Sequence, residues 1–219
     1  MLGPQVYQES CRRCPRLSLF LDEVSKQHPS YFCRPVPPFG DEQAQLLVVG
    51  LAPGLHGANA TGRPFTGDAC SDLLYGTLFE HGFSSAPRSV SRDDGLVLLN
   101  CRITNAVKCL PPQNKPTPAE AKTCRPFLEA ELITTSPKVV LCLGALAHTA
   151  VVKSLSQTLL KENGLQPASL AFGHGRLHRV GSMRLVDSFH PSRYNVNTGR
   201  LTPRMFSEAV ALAKAQLGG

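Results

Sequence analysis

Residues 45–68, QLLVVGLAPGLHGANATGRPFTGD, predict both the fold class and the position of a binding site. The run at residues 46–49 is short, continuous and apolar, which is typical of a strand buried in a parallel sheet with both faces covered. Gly50, Pro53, Gly54 and Gly57 then interrupt any regular period, so the backbone turns sharply and leaves amide groups bare. Ligands of open α/β sheets bind at this carboxyl edge. The sequence therefore predicts a site at the glycine turn, residues 50–57.

The last residues of the stretch, GRPFTGD, place the ring of Phe65 and the carboxylate of Asp68 beside the glycine turn. This pair favours a planar, partly anionic ligand. The stretch has neither the GxGxxG spacing of a dinucleotide site nor the GKS or GKT ending of a P-loop. Taken alone, it leaves a plain tight turn and a binding loop for an unspecified ligand equally open.

The composition describes a basic globular chain. Its 219 residues are 42% hydrophobic, which is enough to bury a full core, and we expect one domain over residues 1–219. Lys and Arg number 23 against 16 Asp and Glu, so the formal charge is +7 and the pI is near 9.1. Because the basic residues are spread along the chain rather than gathered in a tail, they favour a folded basic face and a polyanionic partner.

No stretch is typical of a signal peptide or a membrane span. The first ten residues are largely polar, and Gly144 and His148 interrupt the longest apolar region. We therefore expect a cytoplasmic protein. Disulfides are uncommon in that compartment, so the eight cysteines are expected to be metal ligands or small apolar residues.

Four apolar runs predict the strands of the sheet, at residues 46–49, 95–104, 138–144 and 183–188. Helical signals separate them, with helices expected at residues 17–27, after Asp68 up to Gly82, from a capping box at Thr117 onward, at 145–156 and from Pro203. Pro126 is expected to end or kink the helix that begins at Thr117. This alternation predicts an α/β fold, a single-domain α/β/α sandwich with a central four-stranded, mostly parallel sheet.

Two histidines, His174 and His178, precede the last predicted strand. Their spacing suits two metal ligands on a helix, but Gly173 and Gly175 favour a surface hairpin over a metal site.

The cysteines divide into two sets. Cys11 and Cys14 form a CxxC pair. Cys109 follows the second predicted strand and Cys124 lies in the next predicted helix, and both are expected to face this pair. This predicted ligand set would tie the N-terminal segment to the domain. The other four are expected to be core or surface thiols: Cys33, Cys70, Cys101 and Cys142.

Zinc and an iron–sulfur cluster compete for the first set. Structural zinc sites usually use two short-spaced pairs, whereas only one pair is short here. Pro15 follows Cys14 as a proline follows one ligand in bacterial ferredoxins, which favours the cluster.

Three of the four predicted strands end in unusual polar loops, which carry Phe65 with Asp68, Asn105, and His190 with its neighbours. Parallel strands joined by helices place all their carboxyl ends at one edge. One site can therefore combine a ring for stacking, an amide for reading the edge of a base, and an imidazole.

Four motifs and the spaced cysteines together resemble the uracil-DNA glycosylase superfamily, in its iron–sulfur branch. The motifs are GLAPG at 50–54, GRPFTG at 62–67, TNAVKCLPP at 104–112 and HPS at 190–192. The resemblance covers nearly the full chain. It is closer to family 5, or type b, than to family 4, whose pattern has an acidic residue where this chain has Leu51.

The resemblance implies an enzyme that removes uracil and other deaminated bases from DNA and leaves an abasic site for base-excision repair. Phe65 is implied to stack on the flipped base, Asn105 to read its edge, and His190 to stabilise the departing base. Because Leu51 cannot polarise water, Asp68 or Asn59 is expected to orient it if any side chain does. Substrate binding is implied to involve also Gly50, Ala52, Gly54 and Asn195.

DNA contacts are expected from the HPSRYN loop and from basic residues. Pro191, Ser192, Arg193 and Tyr194 are expected to enter the minor groove. Phosphate contacts are expected from Arg63, Lys108, Lys115, Arg193 and Arg200. The four cysteines are implied to hold one structural 4Fe–4S cluster, with zinc as the alternative occupant. We expect a monomer associated with the nucleoid, with DNA as its partner and no membrane partner.

Two other classes of function remain open from the sequence. A non-catalytic iron–sulfur or zinc protein that binds DNA or senses redox state fits the basic charge and the cysteines equally well, but not the ring, amide and imidazole at the strand ends. A nucleotide hydrolase that uses the glycine turn for phosphate is the weaker alternative.

Overall fold

The computed structural model describes residues 7–155 and 157–218. The strands are β1 Phe39–Gly40, β2 Leu46–Gly50, β3 Cys101–Asn105, β4 Val139–Leu143, β5 Leu177–Val180 and β6 Met183–Ser188. The helices are α1 Pro15–Gln27, α2 Ala58–Thr61, α3 Ala69–Glu80, α4 Pro118–Thr135, α5 Ala145–Ser154, α6 Gln157–Glu162, α7 Arg193–Asn197 and α8 Pro203–Ala215, with 3-10 turns at Pro112–Asn114 and Pro167–Ser169. No helix in these described ranges combines the length and apolarity that a membrane span requires.

The sheet has six strands in the order β1-β3-β2-β4-β6-β5. The inner four are parallel and correspond to the four predicted strands. The two edge strands are antiparallel to their neighbours. The prediction of four strands was therefore wrong in number, because β1 has only two residues and β5 is the first arm of a hairpin with β6.

Apolar side chains cover both faces of the central strands, as predicted for residues 46–49. One face packs Leu46 and Val48 against α3 and α8, and the other packs Leu47 and Val49 against α4 and α5. All four side chains are fully buried. The fold is therefore the predicted α/β/α sandwich. A third apolar cluster lies beside it, where α1 packs against residues 107–110 and the first half of α4.

The second predicted strand is shorter than expected, since β3 begins only at Cys101. Gly95 and Asn100 both have a positive φ, which interrupts a regular extended strand. Residues between them make only an isolated bridge, from Leu98 to Ser84. Because Val97 and Leu99 face solvent, this segment is a ribbon at the surface rather than a buried strand.

Helix α4 continues through Pro126, so of the two outcomes expected for this proline, an end or a kink, the end of the helix is excluded. A proline inside a helix removes one hydrogen bond and costs roughly 3 kcal/mol. Burial of residues on both sides of it, including Cys124, Phe127 and Leu128, offsets that cost. The capping box of Thr117 and Glu120 at the start of α4 is present as predicted.

Candidate active site

The carboxyl ends of β2, β3 and β6 open into one cavity of about 320 Å³. The ring, the carboxylate, the amide and the imidazole predicted from the sequence all line it: Phe65, Asp68, Asn105 and His190. Leu51, Ala52 and Gly54 of the glycine turn line it as well. The topology brings these residues together because neighbouring parallel strands end at the same edge.

Gly50 is the last residue of β2, and its missing side chain gives room to two site residues. A Cβ atom there would lie 2.5 Å from Phe65 Cζ and 2.5 Å from Asn105 Oδ1. Such approaches are prohibitive, so glycine is required for the ring and the amide to meet over this backbone. The rings of Phe65 and His190 are 5.8 Å apart between centroids and tilted by 32°.

The backbone of Phe65 is in the left-handed region, with φ at 52°. This conformation costs a non-glycine residue roughly 1–2 kcal/mol. Phe65 is only 7% exposed as a residue, although it lines the cavity. A strained residue held at the wall of a cavity is typical of a functional position.

Asn105 ends β3 in register with Gly50. Its side-chain oxygen, Oδ1, is buried and has no hydrogen-bond partner among the described residues. A buried acceptor without a partner costs about 1–3 kcal/mol, so the fold retains it at an energetic cost. Asn105 lines the cavity, so its amide lies at the wall against which a ligand would bind.

His190 follows β6, and burial lowers the pKa of its imidazole to about 4. The ring is therefore neutral at pH 7 and carries a single N–H donor. Asn195, predicted to bind substrate, instead donates from Nδ2 to the His190 carbonyl at 2.8 Å. It lines an adjoining cavity, together with His190 and Leu51, rather than the cavity that contains Phe65 and Asn105.

Asp68 caps the start of α3 and accepts a hydrogen bond at Oδ1 from the Cys70 amide at 2.9 Å. Its other oxygen, Oδ2, faces Gly54 and Gly57 of the glycine turn. Burial raises the pKa of the Asp68 carboxyl above its usual value, and the hydrogen bonds at the helix start offset part of that rise. The carboxylate is thus fixed in place at the wall of the cavity.

Asn59, the other candidate for orienting water, lies in α2 and is fully buried. Its amide donates to Cys33 Sγ at 3.5 Å, and its Oδ1 has no partner among the described residues. Asn59 does not line the cavity that contains Asp68 and Asn105. The geometry therefore favours Asp68 over Asn59.

Two of the predicted phosphate contacts, Arg63 and Lys108, were wrong, because the side chains of both residues are buried in the protein. Arg63 is 4% exposed and pairs with Asp94 at 2.6 Å. Lys108 is 1% exposed, donates to Thr104 Oγ1, and has its pKa lowered by burial. Neither the guanidinium of Arg63 nor the amine of Lys108 can reach DNA without disrupting the core.

The other basic candidates and the HPSRYN loop are accessible. Lys115, Arg193 and Arg200 are exposed, and the Tyr194 side chain is 71% exposed. Ser192 lines the cavity that contains Phe65 and Asn105, and it also caps α7. Pro191 is buried. The loop therefore joins the substrate cavity to the protein surface.

Sequence reasoning missed three residues that line the cavity, Ala58, Asn114 and Cys70. Asn114 follows Pro111 and Pro112, and its φ of 57° directs the chain back toward the site. Paired prolines followed by Gln-Asn signal a turn, but they do not show where the turn points. Cys70 lies in the first turn of α3, and burial beside Asp68 raises the pKa of its thiol to about 12.

The four predicted cysteine ligands gather beside the third apolar cluster. Cys11, Cys14, Cys109 and Cys124 line one small cavity between α1, α4 and the loop after β3. Burial, with the other three cysteines nearby, raises the pKa of the Cys109 thiol to about 12. The backbone amide of Lys108 donates to Cys124 Sγ at 3.3 Å.

Sulfur spacing distinguishes this group from a compact metal site. Among the described residues, three or more potential ligand atoms lie within 4.8 Å of one another only in the group of Cys142, His148 and Asp187. No three of the four gathered sulfurs are therefore that close. A tetrahedral zinc site with Zn–S bonds of about 2.3 Å places its sulfurs about 3.8 Å apart.

The compact group is a hydrogen-bonded network rather than a metal site. His148 contacts Asp187 Oδ1 through Nδ1 at 2.7 Å and the Leu170 carbonyl through Nε2 at 2.6 Å, so neither nitrogen has a lone pair to offer. His178 Nε2 lies 3.0 Å from Asp187 Oδ2. The hairpin predicted around His174 and His178 is present, but the expectation that it is a surface feature was wrong for His178, which is buried.

Comparison with known proteins identifies relatives over nearly the whole chain. A model of the family described as the uracil DNA glycosylase superfamily matches residues 37–214. A type-5 uracil-DNA glycosylase of Pyrobaculum aerophilum is 45% identical over 213 residues, which are 95% of this chain and 90% of that protein. The type-5 enzyme of Thermus thermophilus is 44% identical over 216 residues, 95% and 94% of the two chains. A type-4 enzyme of Archaeoglobus fulgidus is 34% identical over 188 residues, 84% and 77% of the two chains.

Proposed function

The chain belongs to the uracil-DNA glycosylase superfamily and is more similar to the type-5 enzymes named above than to the type-4 enzyme, and from this premise we propose how its own residues remove uracil from DNA. The reaction hydrolyses the N-glycosidic bond and leaves an abasic site for base-excision repair. One observation carries the proposal: Asn105, whose Oδ1 is a buried acceptor without a partner among the described residues, lines the cavity that also contains Phe65 and His190.

Asn105 is the residue that recognises uracil in this proposal. Its Oδ1 accepts from uracil N3–H, and its Nδ2 donates to O4. Cytosine offers an acceptor at N3 and a donor at N4, so both contacts with it would be repulsive. The amide therefore admits uracil and rejects cytosine.

Phe65 provides the surface on which the extruded base stacks. An enzyme that acts on a base inside a duplex must first flip it out, at a cost of roughly a few kcal/mol that is least for a mismatched pair. Stacking on an aromatic side chain returns about 1–3 kcal/mol per base. The ring therefore offsets much of the cost of flipping.

His190 stabilises the departing uracil. Breaking the glycosidic bond leaves negative charge on the base, mainly at O2. A neutral imidazole with one N–H can donate to that oxygen, and one such donor is typically worth about 3 kcal/mol in the transition state. The bare amides of the glycine turn are a second source of donors.

Asp68 orients the attacking water. The site has no acidic residue at position 51, where Leu51 presents an apolar wall. The Asp68 carboxylate, at the start of α3, is the remaining charged acceptor among the residues that line this cavity. Because bond breaking is largely dissociative, anion stabilisation contributes more to the rate than this base does.

We extend the substrate class to other deaminated bases. The cavity of about 320 Å³ exceeds what a single pyrimidine ring needs, and it falls in the range of ligand pockets that accept larger molecules. The DNA flanking the base is held by exposed Lys115, Arg193 and Arg200, with Tyr194 and its loop in the minor groove. The protein acts as a monomer on the DNA of the nucleoid.

The four cysteines hold one structural 4Fe–4S cluster. Four thiolates are a complete ligand set for such a cluster, and the fact that no three of these sulfurs lie within 4.8 Å of one another favours the cluster over a single zinc ion. The cluster would join α1 to α4 and the loop after β3. It takes no part in the steps above, because its ligands line a different cavity from the substrate residues.

An oligonucleotide with one uracil opposite guanine tests the function. Incubation with the protein should create an alkali-labile site at the uracil, and a matched duplex with cytosine should remain intact. No cleavage of the uracil duplex by folded protein would overturn the proposal. Iron and zinc analysis of the same sample should give about four irons and little zinc per chain if the cluster assignment is correct.

A further inference from the structure

We propose that Arg63 is a positioning residue, which acts through a buried network with Ser89 and Asp94 to hold Phe65 in the conformation that receives the base. The inference rests on the proposed stacking role of Phe65. It replaces the phosphate contact expected for Arg63 with a role inside the protein.

The loop that presents Phe65 needs external support. Its φ is 52°, and the flanking glycines Gly62 and Gly67 have φ of 75° and 86°. Glycines adopt this conformation freely, whereas a phenylalanine does not. The segments packed around the loop must therefore stabilise the left-handed conformation of Phe65.

Arg63 directs its guanidinium into the protein. Nη1 donates to Asp94 Oδ1 at 2.6 Å and to Ser89 Oγ at 2.9 Å, and Nη2 donates to the Arg92 carbonyl at 2.5 Å. The guanidinium carbon lies 4.3 Å from the centroid of the Phe39 ring. These contacts fix the residue two positions before Phe65.

The residues on either side of Phe65 are fixed by two buried hydroxyls. Ser89 Oγ is 2.8 Å from Thr66 Oγ1, and Tyr75 Oη donates to the Pro64 carbonyl at 2.8 Å. Ser89 thus connects Arg63 to Thr66 across the strained residue. Tyr75 extends from α3, so the support also comes from the core of the domain.

The loop at residues 88–94 is itself held rigid. Asp94 Oδ2 accepts from the Val90 amide at 2.8 Å and the Ser91 amide at 3.2 Å. Ser71 Oγ on α3 donates to the Ser89 carbonyl at 3.0 Å. A buried network whose members all have partners restricts motion, which is what a positioned stacking ring requires.

The test uses Ser89→Ala, which removes the bridge from Arg63 to Thr66 and keeps the Arg63–Asp94 pair. We expect the single-turnover rate of uracil excision to fall roughly three- to tenfold, as for the loss of about one buried hydrogen bond. Ser154→Ala is the matched control, because this buried serine has one hydrogen bond, to the Ala150 carbonyl at 2.8 Å, and lies on α5. It should lower the unfolding temperature comparably and leave the rate unchanged.

A double-mutant cycle with Phe65→Ala separates positioning from general destabilisation. If the network acts through the ring, Ser89→Ala should cause no further loss of rate in the Phe65→Ala background. An equal fold-loss in both backgrounds would overturn the positioning role while leaving the stacking role of Phe65 intact. Full activity of Phe65→Ala itself would overturn both, together with the proposed use of the ring. Arg63→Lys, which keeps a charge beside Asp94 but cannot make all the contacts, should slow excision at least as much as Ser89→Ala.

Discussion

Gly50 and Asn105 are register partners of the parallel pair β2 and β3, and the Asn105 Oδ1 atom lies 2.5 Å from the position that a Gly50 Cβ would occupy. The amide can therefore face the cavity only because its partner has no side chain. The ring of Phe65 uses the same space.

Gly50→Ala should reduce uracil excision about 100-fold, because the methyl group displaces both the ring and the amide by a distance on the order of 1 Å. Single-turnover kinetics measures the loss. Gly76→Ala in α3 is the control, since its Cβ would lie 3.8 Å from the Pro87 carbonyl oxygen, an ordinary contact. Equal rates for the two variants would refute the requirement for glycine at position 50.

Asn105→Ala should abolish recognition of uracil and slow excision about 100- to 1,000-fold, since the base loses the group that pairs with its edge. Asn105→Asp keeps an acceptor for N3–H but loses the donor to O4, so its activity should lie between those of the wild type and Asn105→Ala. Rates on uracil and cytosine duplexes measure both effects. An unchanged rate for Asn105→Ala would refute base reading by this side chain.

Asp68→Ala should slow uracil release at least tenfold if the carboxylate orients water. The ionised carboxylate is the active form, and its raised pKa means that acid inactivation begins at a higher pH than for an ordinary aspartate. The pH profile of the single-turnover rate should therefore show an acidic limb that Asp68→Ala lacks. Near wild-type rates for Asp68→Ala would remove Asp68 from the mechanism.

His190→Ala should reduce the chemical step about 100- to 1,000-fold through loss of the donor to the departing base. Because the imidazole pKa is about 4, the wild-type rate should show no step near the usual histidine pKa of about 6.5. Single-turnover rates from pH 5 to 8 measure this, with His81→Gln as the control, because His81 lies at the end of α3 and does not line the cavity. If the wild-type pH profile has a step that is absent from the profile of His190→Ala, the protonated imidazole of His190 takes part and the prediction is wrong.

The His148–Asp187 pair should make stability depend on pH. Burial lowers the pKa of His148, but the hydrogen bond and charge of Asp187 outweigh it and hold the pKa above its usual value. The pair therefore stabilises the fold fully below about pH 6.5, the unfolded-state value, and this contribution is lost as the pH rises through the raised folded-state pKa. Unfolding midpoints of wild type and His148→Gln should converge toward alkaline pH. A constant difference would contradict the linkage.

Local patterns were sufficient to predict the central strands, the capped helices and the four cysteines that gather beside α1. Residues 46–49 could be read as a doubly buried strand because each of their side chains is apolar. Phe65, Asn105 and His190 could be placed in one cavity because parallel topology brings strand ends together. The edge strand β1 could not be predicted from the sequence, since it has two residues and no period of its own.

What the sequence determined by itself is therefore the class of fold and the chemistry of the site, because both follow from short-range apolar periodicity and from residues at strand ends. Only the tertiary structure decided which polar residues face inward. Arg63 and Lys108 are basic residues in loops, and nothing near them in the sequence distinguishes a DNA contact from a buried side chain. Arg63 is buried because Asp94 and Ser89, distant in the chain, satisfy its donors once the fold closes around them.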